Sequence, residues 1–192
     1  DGRFPTAHRN LALAYFNKCG RPDDALDEME QAFALDRTDA RVLMELDQLR
    51  KKRGMSAPER LKALEENREC VLQRDDLYLE YITLHNALGL HEQALEMLLS
   101  RQFHPWEGGE GKVPAQYRLA LTELAKRALA AGDAQKAAGL LRRATVYPHS
   151  LGEGKLAGAQ ENDIYYYLGL AERRLGNAQE SERCLKKACV GL

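Results

Sequence analysis

Five glycines recur along this sequence at intervals that are typical of a helical repeat. They are Gly20, Gly54, Gly89, Gly132 and Gly176, and the intervals between them are 34, 35, 43 and 44 residues. Each glycine follows an amphipathic stretch, where it can end a helix because glycine adopts the left-handed conformation at little cost. The first two intervals match a helix–turn–helix repeat of roughly 34 residues, and the last two equal that period plus about nine or ten inserted residues.

The residues that follow the glycines support this interpretation. Small side chains stand five positions after four of them, at Ala25, Ala94, Ala137 and Ser181. Large apolar side chains stand nine positions after the same four, at Met29, Leu98, Leu141 and Leu185. These offsets place the apolar groups on one stripe of a helix, with small residues where two helices approach closely.

The second repeat departs from this pattern, because Glu59 and Glu66 stand where the other repeats have small residues. Ser56 and Glu59 form a capping-box pattern, which predicts a helix start. We therefore expect a second helix that is longer or shifted in this repeat. First helices are predicted near 6–18, 38–53, 75–88, 115–131 and 161–175. Second helices are predicted near 22–35, 57–73, 91–102, 134–146 and 178–190.

At these residues the chain resembles the tetratricopeptide repeat family. Residues 10–16 and 25–32 are similar to a family repeat with one extra residue before Gly20, and residues 165–169, followed by Gly176 and Ala188, are similar to another. The resemblance implies an all-α, tetratricopeptide-like right-handed superhelix, an α-solenoid of about five helix pairs. We expect one domain over residues 1–192. The predicted repeats lie near 6–35, 38–73, 75–102, 115–146 and 161–190, with loop insertions at 103–114 and 147–160.

Composition limits the partners. The 28 basic and 29 acidic residues leave a net charge of −1, so nucleic acid and anionic membranes are not expected as partners. No apolar run reaches the roughly 20 residues that span a bilayer. The chain starts without Met, which suggests a segment of a larger protein. The four cysteines form no C-x-x-C pair, so we expect free, mostly buried thiols and no metal or other cofactor.

The two insertions share a sequence pattern. Residues 103–113 and 146–156 align without gaps on Pro-x-x-x-Gly-Glu-Gly-Lys. We expect similar backbone paths on one edge of the stack, with Glu110 and Glu153 bonded to turn amides. A phosphate-binding loop is excluded because the required upstream Gly and following Ser or Thr are missing.

Trp106, the single tryptophan, has two interpretations. It is either a hydrophobic plug under its own loop or a recognition residue on the loop rim. His104 and His149 are expected to be ordinary loop histidines, and Glu107, Glu110 and Glu153 to be solvated or turn-bonded rather than paired for glycoside chemistry. If the rim binds a partner, its other residues include Lys112 and Lys155.

Residues 4–18, the loop residues 104–112 and residues 161–169 extend the resemblance to a group of large bacterial proteins. In these, an uncharacterised, carbohydrate-enzyme-like N-terminal domain precedes a tetratricopeptide region. This implies a cytoplasmic bacterial parent. The leading hypothesis is a scaffold, not an enzyme, that binds a protein or peptide, above all another domain of the parent chain. Family register places one set of side chains on the concave face: Met44, Gln48, Lys51, Leu79, Thr83, Asn86, Thr122, Lys126, Tyr166 and Arg173.

Three further interpretations concern the partner. Binding of a C-terminal carboxylate is not expected, because Gln48, Thr83, Lys126 and Leu170 replace the Asn of that clamp. The rival class is a helical accessory subdomain whose loops help complete a carbohydrate active site. Self-association through uncapped ends is the third, because a repeat stack can expose apolar end faces.

Overall fold

The computed structural model describes residues 3–190 and contains no β-strand among them. Its helices form two compact units, Asp1–Leu88 and Gly89–Leu192. The helices of the first unit are α1 (Pro5–Ala14), α2 (Pro22–Leu35), α3 (Ala40–Lys52), α4 (Ala57–Glu65), α5 (Arg68–Val71) and α6 (Asp75–Ala87). Those of the second unit are α7 (His91–Leu99), α8 (Lys112–Ala130), α9 (Ala134–Ala144), α10 (Asn162–Arg174) and α11 (Ala178–Ala188).

Helices that follow one another along the chain pack together within each unit. In the first unit α1 packs on α2 and α2 on α3, and in the second unit contacts run from α7 through α8, α9 and α10 to α11. The predicted pairs α1–α2, α8–α9 and α10–α11 are therefore present.

The glycines and small residues of the repeat have the roles expected from the sequence. All five repeat glycines have positive φ, between +62° and +84°. Ala25, Ala94 and Ala137 are fully buried and Ser181 is nearly so. A larger side chain at Ala25, Ala137 or Ser181 would force the paired helices apart, so these small residues set the spacing of their pairs.

The extra residue before Gly20 is accommodated by a change of helix type. After α1 the chain continues as a π-helical turn, Tyr15–Cys19, and the Gly20 amide donates to the Tyr15 carbonyl. A π-turn adds one residue to an α-helix without breaking it. The predicted helix at 6–18 is therefore α1 plus this turn.

The single second helix predicted at 57–73 is wrong. The chain forms two short helices there, α4 and α5, which are separated at Glu66 and Asn67. The Asn67 Nδ2 donates to the Ala63 carbonyl at 2.8 Å. This side-chain bond competes with the helical hydrogen bonds and ends α4.

A buried ion-pair network takes the place of small-residue packing at α4. The Arg60 guanidinium donates to Asp47 of α3 at 3.0 and 2.5 Å, and to Glu80 of α6 at 2.6 Å. Lys51 also donates to Glu80, at 2.9 Å. Arg60 and Asp47 are both buried. The network thus fixes α4 against α3 and α6, where the sequence lacks the small residues of the other repeats.

All four cysteines are free. Cys70 and Cys184 are buried, whereas Cys19 and Cys189 are exposed, so the expectation of mostly buried thiols holds for two of them. None of the helices within residues 3–190 is long and apolar enough to cross a lipid bilayer.

Candidate functional site

The two loop insertions lie against each other in the second unit. The Phe103 amide donates to the Ser150 carbonyl at 2.8 Å, and Gln102 donates to the His149 carbonyl at 3.1 Å. Phe103, at 1% exposure, is the fully buried aromatic of the first loop. The loops therefore share one edge of this unit, as expected.

The prediction that the two loops follow similar backbone paths, however, is wrong. The first loop has positive φ at Gly108 and Gly111, whereas the second has it at Gly152. The position of Gly108 is taken by Leu151 in the second loop, and Leu151 is buried. Because a leucine rarely adopts positive φ, the second loop turns one residue later.

Both loop glutamates bond to turn amides, as predicted. Glu110 accepts from the Gly108 amide of its own loop at 3.3 Å. Glu153 instead reaches across to the first loop, and both of its oxygens lie 2.9 Å from the Gly111 nitrogen. Gly111 directly precedes α8, so Glu153 supplies a negative charge at the positive end of that helix.

A pocket of about 360 Å³ lies beside these bonded loops. Its lining includes Lys112, Arg118, Lys155, Glu110 and Tyr147. Cations therefore outnumber anions on its wall. The sequence singled out Lys112, Lys155 and Glu110, but not Arg118 or Tyr147, because no motif links α8 to the second loop.

A buried carboxylate, Glu161, is bonded to two residues of the pocket lining. Lys155 donates to it at 2.7 Å, and the Tyr147 hydroxyl donates to it at 2.5 Å. Burial alone would raise the pKa of Glu161, but the hydrogen bonds from Lys155 and Tyr147 outweigh burial and lower it. Burial and the bond to Glu161 raise the pKa of Tyr147 to about 12. The hydroxyl therefore stays protonated near neutral pH and acts as a donor.

The remaining rim residues are separate from this pocket. His104, Glu107 and His149 are exposed, and Trp106 is half-buried. The Trp106 indole lies over Gly109, so close that a β-carbon there would stand 2.2 Å from the indole Cε2. Trp106 is thus neither a fully buried plug nor a free rim residue, and its role in partner binding stays a prediction.

Replacing Gly109 by Ala should displace the indole of Trp106, because the added β-carbon cannot share its space. We expect a red-shifted tryptophan emission spectrum and a stability loss of roughly 1–3 kcal/mol. Gly154→Ala in the other loop is the matched control, since nothing lies within 4 Å of its added β-carbon. Unchanged emission in Gly109→Ala would contradict the contact.

The residues predicted for the concave face divide into accessible and buried groups. In the first unit Gln48 is exposed and donates to the Met44 sulfur at 3.0 Å. Asn86, in contrast, is only 4% exposed, and Leu79 is also buried. In the second unit Thr122 is buried. The concave-face prediction is therefore wrong for Asn86, Leu79 and Thr122. They are core residues, because their helices are buried on more than one side.

The accessible group of the second unit includes an aromatic cluster on α8 and α10. Tyr166 is 47% exposed, and its ring meets that of Tyr167 edge-on with centroids 5.2 Å apart. The Lys126 ammonium lies 5.6 Å from the centroid of Tyr167 and donates to Glu123 at 2.7 Å. The Glu123 bond raises the pKa of Lys126, so this lysine keeps its charge. Arg173, farther along α10, is exposed.

Within the part of the chain that the structure describes, no three His, Cys, Asp or Glu side chains are grouped as a metal site would require.

No protein-family model matches the sequence. Solved structures with a similar fold include the MamA protein, with a TM-score of 0.58 and 17% identity over 98% of this chain and 91% of that one. YrrB, a TPR protein with an unusual peptide-binding site, has a TM-score of 0.62 and 16% identity over 98% and 86%. A segment of MamA from Desulfovibrio magneticus RS-1 has a TM-score of 0.55 and 13% identity over 96% and 92%. These likenesses confirm a tetratricopeptide-like, all-α solenoid fold.

Proposed function

We propose that this chain is a protein-interaction scaffold with no catalysis of its own, and that the surface of α8 and α10 binds a peptide segment of its partner. The partner that the sequence resemblance implies is another domain of a parent chain, within the cytoplasm. The alternative, an accessory subdomain of a carbohydrate-active enzyme, depends on a region outside this sequence, and no contact of the α8–α10 surface favours it.

One observation carries the proposal: an exposed tyrosine, Tyr166, contacts a second ring, and that second ring lies beside a cation. Tyr166 contacts Tyr167, and Tyr167 contacts Lys126. Aromatic residues have a large share in binding energy because they bury much area and lose little side-chain entropy. Lys126 is paired with Glu123, and the remaining protons of its ammonium group can donate to a polar group of the ligand.

The same surface has an apolar neighbour. Leu119 is exposed and stands seven residues before Lys126, on the same stripe of α8. Tyr166 and Leu119 are thus two anchors with polar groups between them. Such an arrangement suits an extended or helical peptide better than a small molecule. The likeness to YrrB supports this interpretation, because that protein is a TPR protein with a peptide-binding site.

Tyr166→Ala should weaken peptide binding about tenfold or more, equivalent to roughly 1.4 kcal/mol. Peptides would be selected from a random library against the wild-type chain, and the dissociation constant of each would then be measured for the variant. Val146→Ala is the control, because Val146 is exposed and lies outside this surface. If the selected peptides bind Tyr166→Ala and the wild type equally, the proposed surface is wrong.

A further inference from the structure

The outward side of α1 carries an uncovered apolar stripe. Phe4, just before the helix, is 59% exposed and Leu11 is 40% exposed. Ala7 and Ala14, which complete the stripe, are exposed as well. The spacing of three, four and three residues puts all four on one side of the helix. In this fold, the first helix of a repeat normally buries this side against the helix pair of the preceding repeat.

The corresponding residues of α10 show what such a stripe packs on. An offset of 157 residues relates the two helices. It matches Ala7 with Ile164, Leu11 with Leu168, and Ala14 with Ala171. All three α10 residues are buried, in a helix that packs against α9. The exposed stripe of α1 therefore corresponds, position by position, to residues of α10 that are buried within the second unit.

α10 packs on α9 and also contacts α8, and we take the buried residues of those two helices as the other half of the contact. Its residues are buried in the structure: Leu129, Ala134, Ala138 and Leu141. The residues 44 positions later belong to α10 and α11, and they line an open groove of about 530 Å³. These groove residues are Arg173, Ala178, Glu182 and Leu185.

The groove of α10 and α11 is suited to an apolar helix despite its charges. Glu182 and Lys186 neutralise each other in an ion pair of 2.7 Å. Ala178, Leu185 and Cys189 form the apolar part of the lining. Arg173 also lines the groove, but it is exposed, so its guanidinium can stay in water while an apolar stripe packs on the rest. The four residues of the α1 stripe carry no charge that would have to be buried against it.

We propose that α1 of one copy docks in the α10–α11 groove of a second copy, in the way that α10 packs on α8 and α9 within the chain. The occupant of the groove is thus the stripe of Phe4, Ala7, Leu11 and Ala14. Such a head-to-tail contact is heterologous, so each pair of copies keeps one free stripe and one free groove, to which further copies can add. A single helix in a groove makes a small interface, and the association should depend strongly on concentration.

Sedimentation equilibrium of the full chain tests this proposal, with reductant present so that the exposed Cys19 and Cys189 cannot cross-link copies. The average mass of the wild type should rise with concentration. Leu11→Glu, or Ala7→Glu in its place, puts a charge on the stripe and should prevent it from docking. The double variant Ala178→Glu with Cys189→Arg puts two charges in the groove and should block it. Each variant alone should stay monomeric at concentrations where the wild type associates.

Mixing the two variants is the decisive arm, because the mixture restores one intact stripe and one intact groove. A mixture of Leu11→Glu with the groove variant should form a one-to-one dimer and nothing larger. Val146→Glu is the matched control and should associate like the wild type, while circular dichroism verifies that every variant is folded. The proposal is overturned by a wild type that stays monomeric, by variants that associate normally, or by a mixture that stays monomeric.

Discussion

Replacing Arg60 by Ala should lower the free energy of unfolding by about 3–5 kcal/mol, because it leaves a buried carboxylate without its partner. Asp47 is only 2% exposed, and both of its oxygens accept hydrogen bonds from Arg60. Urea denaturation followed by circular dichroism would measure the loss. The matched control is Arg53→Ala, which removes an ion pair to Asp23 between two exposed side chains, and its effect should be much smaller.

The loss in Arg60→Ala should also depend on pH. Burial already raises the pKa of Asp47 in the wild type, against the hydrogen bond from Arg60 that lowers it. Removing Arg60 takes away the hydrogen bond and the charge that lower the pKa of Asp47, so its folded-state pKa rises further above the unfolded one. A raised carboxyl pKa means that the folded state binds more protons, and stability then falls as pH rises. The variant should therefore be closest to the wild type in acid, and a loss independent of pH would contradict this explanation.

Replacing Phe103 by Ala should cost roughly 3–5 kcal/mol, because it empties the space of a fully buried ring. Phe103 is 1% exposed, and its backbone is tied to the second loop through Ser150. The cavity should also loosen the contact between the loops. We expect a lower urea midpoint together with a changed emission of Trp106, which lies three residues away.

Trp106→Ala is the natural comparison, since one interpretation of the sequence makes Trp106 the plug under this loop. Trp106 is half-buried, so its replacement should cost clearly less than that of Phe103. A larger loss in Trp106→Ala than in Phe103→Ala would restore the plug hypothesis. Equal losses would show that the loop unfolds as a unit.

The helix pairs could be predicted from the sequence because each is specified locally. A glycine that ends a helix and a small residue five positions later fix both the turn and the distance between two helices. The α-solenoid fold needs little more than their repetition. The single domain over residues 1–192 and the superhelical hand stay predictions.

The errors arose where a contact distant in sequence, or a competing local bond, decides the structure. Asn67 ends α4 through its side chain, a bond that the apolar periodicity of residues 57–73 does not reveal. Arg60 stands six positions after its glycine and looks like a solvated residue, yet it joins three helices. Asn86 fits the register of the concave face but is buried by its surroundings.

The loops show how one substitution changes a backbone that the sequence pattern presents as repeated. Pro, Glu, Gly and Lys match in both loops, but Leu151 cannot follow Gly108 into positive φ. The first loop therefore runs straight into α8 at Lys112, while the second continues as coil to Asn162. A bond from Glu153 to a turn amide was predicted, but its partner in the other loop, Gly111, could not be predicted because the sequence pattern describes each loop by itself.

Chemical-shift mapping with a selected peptide tests the binding surface most directly. Isotope-labelled chain would be titrated with a peptide obtained from the library selection, and amide shifts followed by residue. The largest changes should fall at Leu119, Lys126, Tyr166 and Tyr167, on α8 and α10. Changes confined to α9, α11 or the two loops, with these four residues unaffected, would contradict the proposed function.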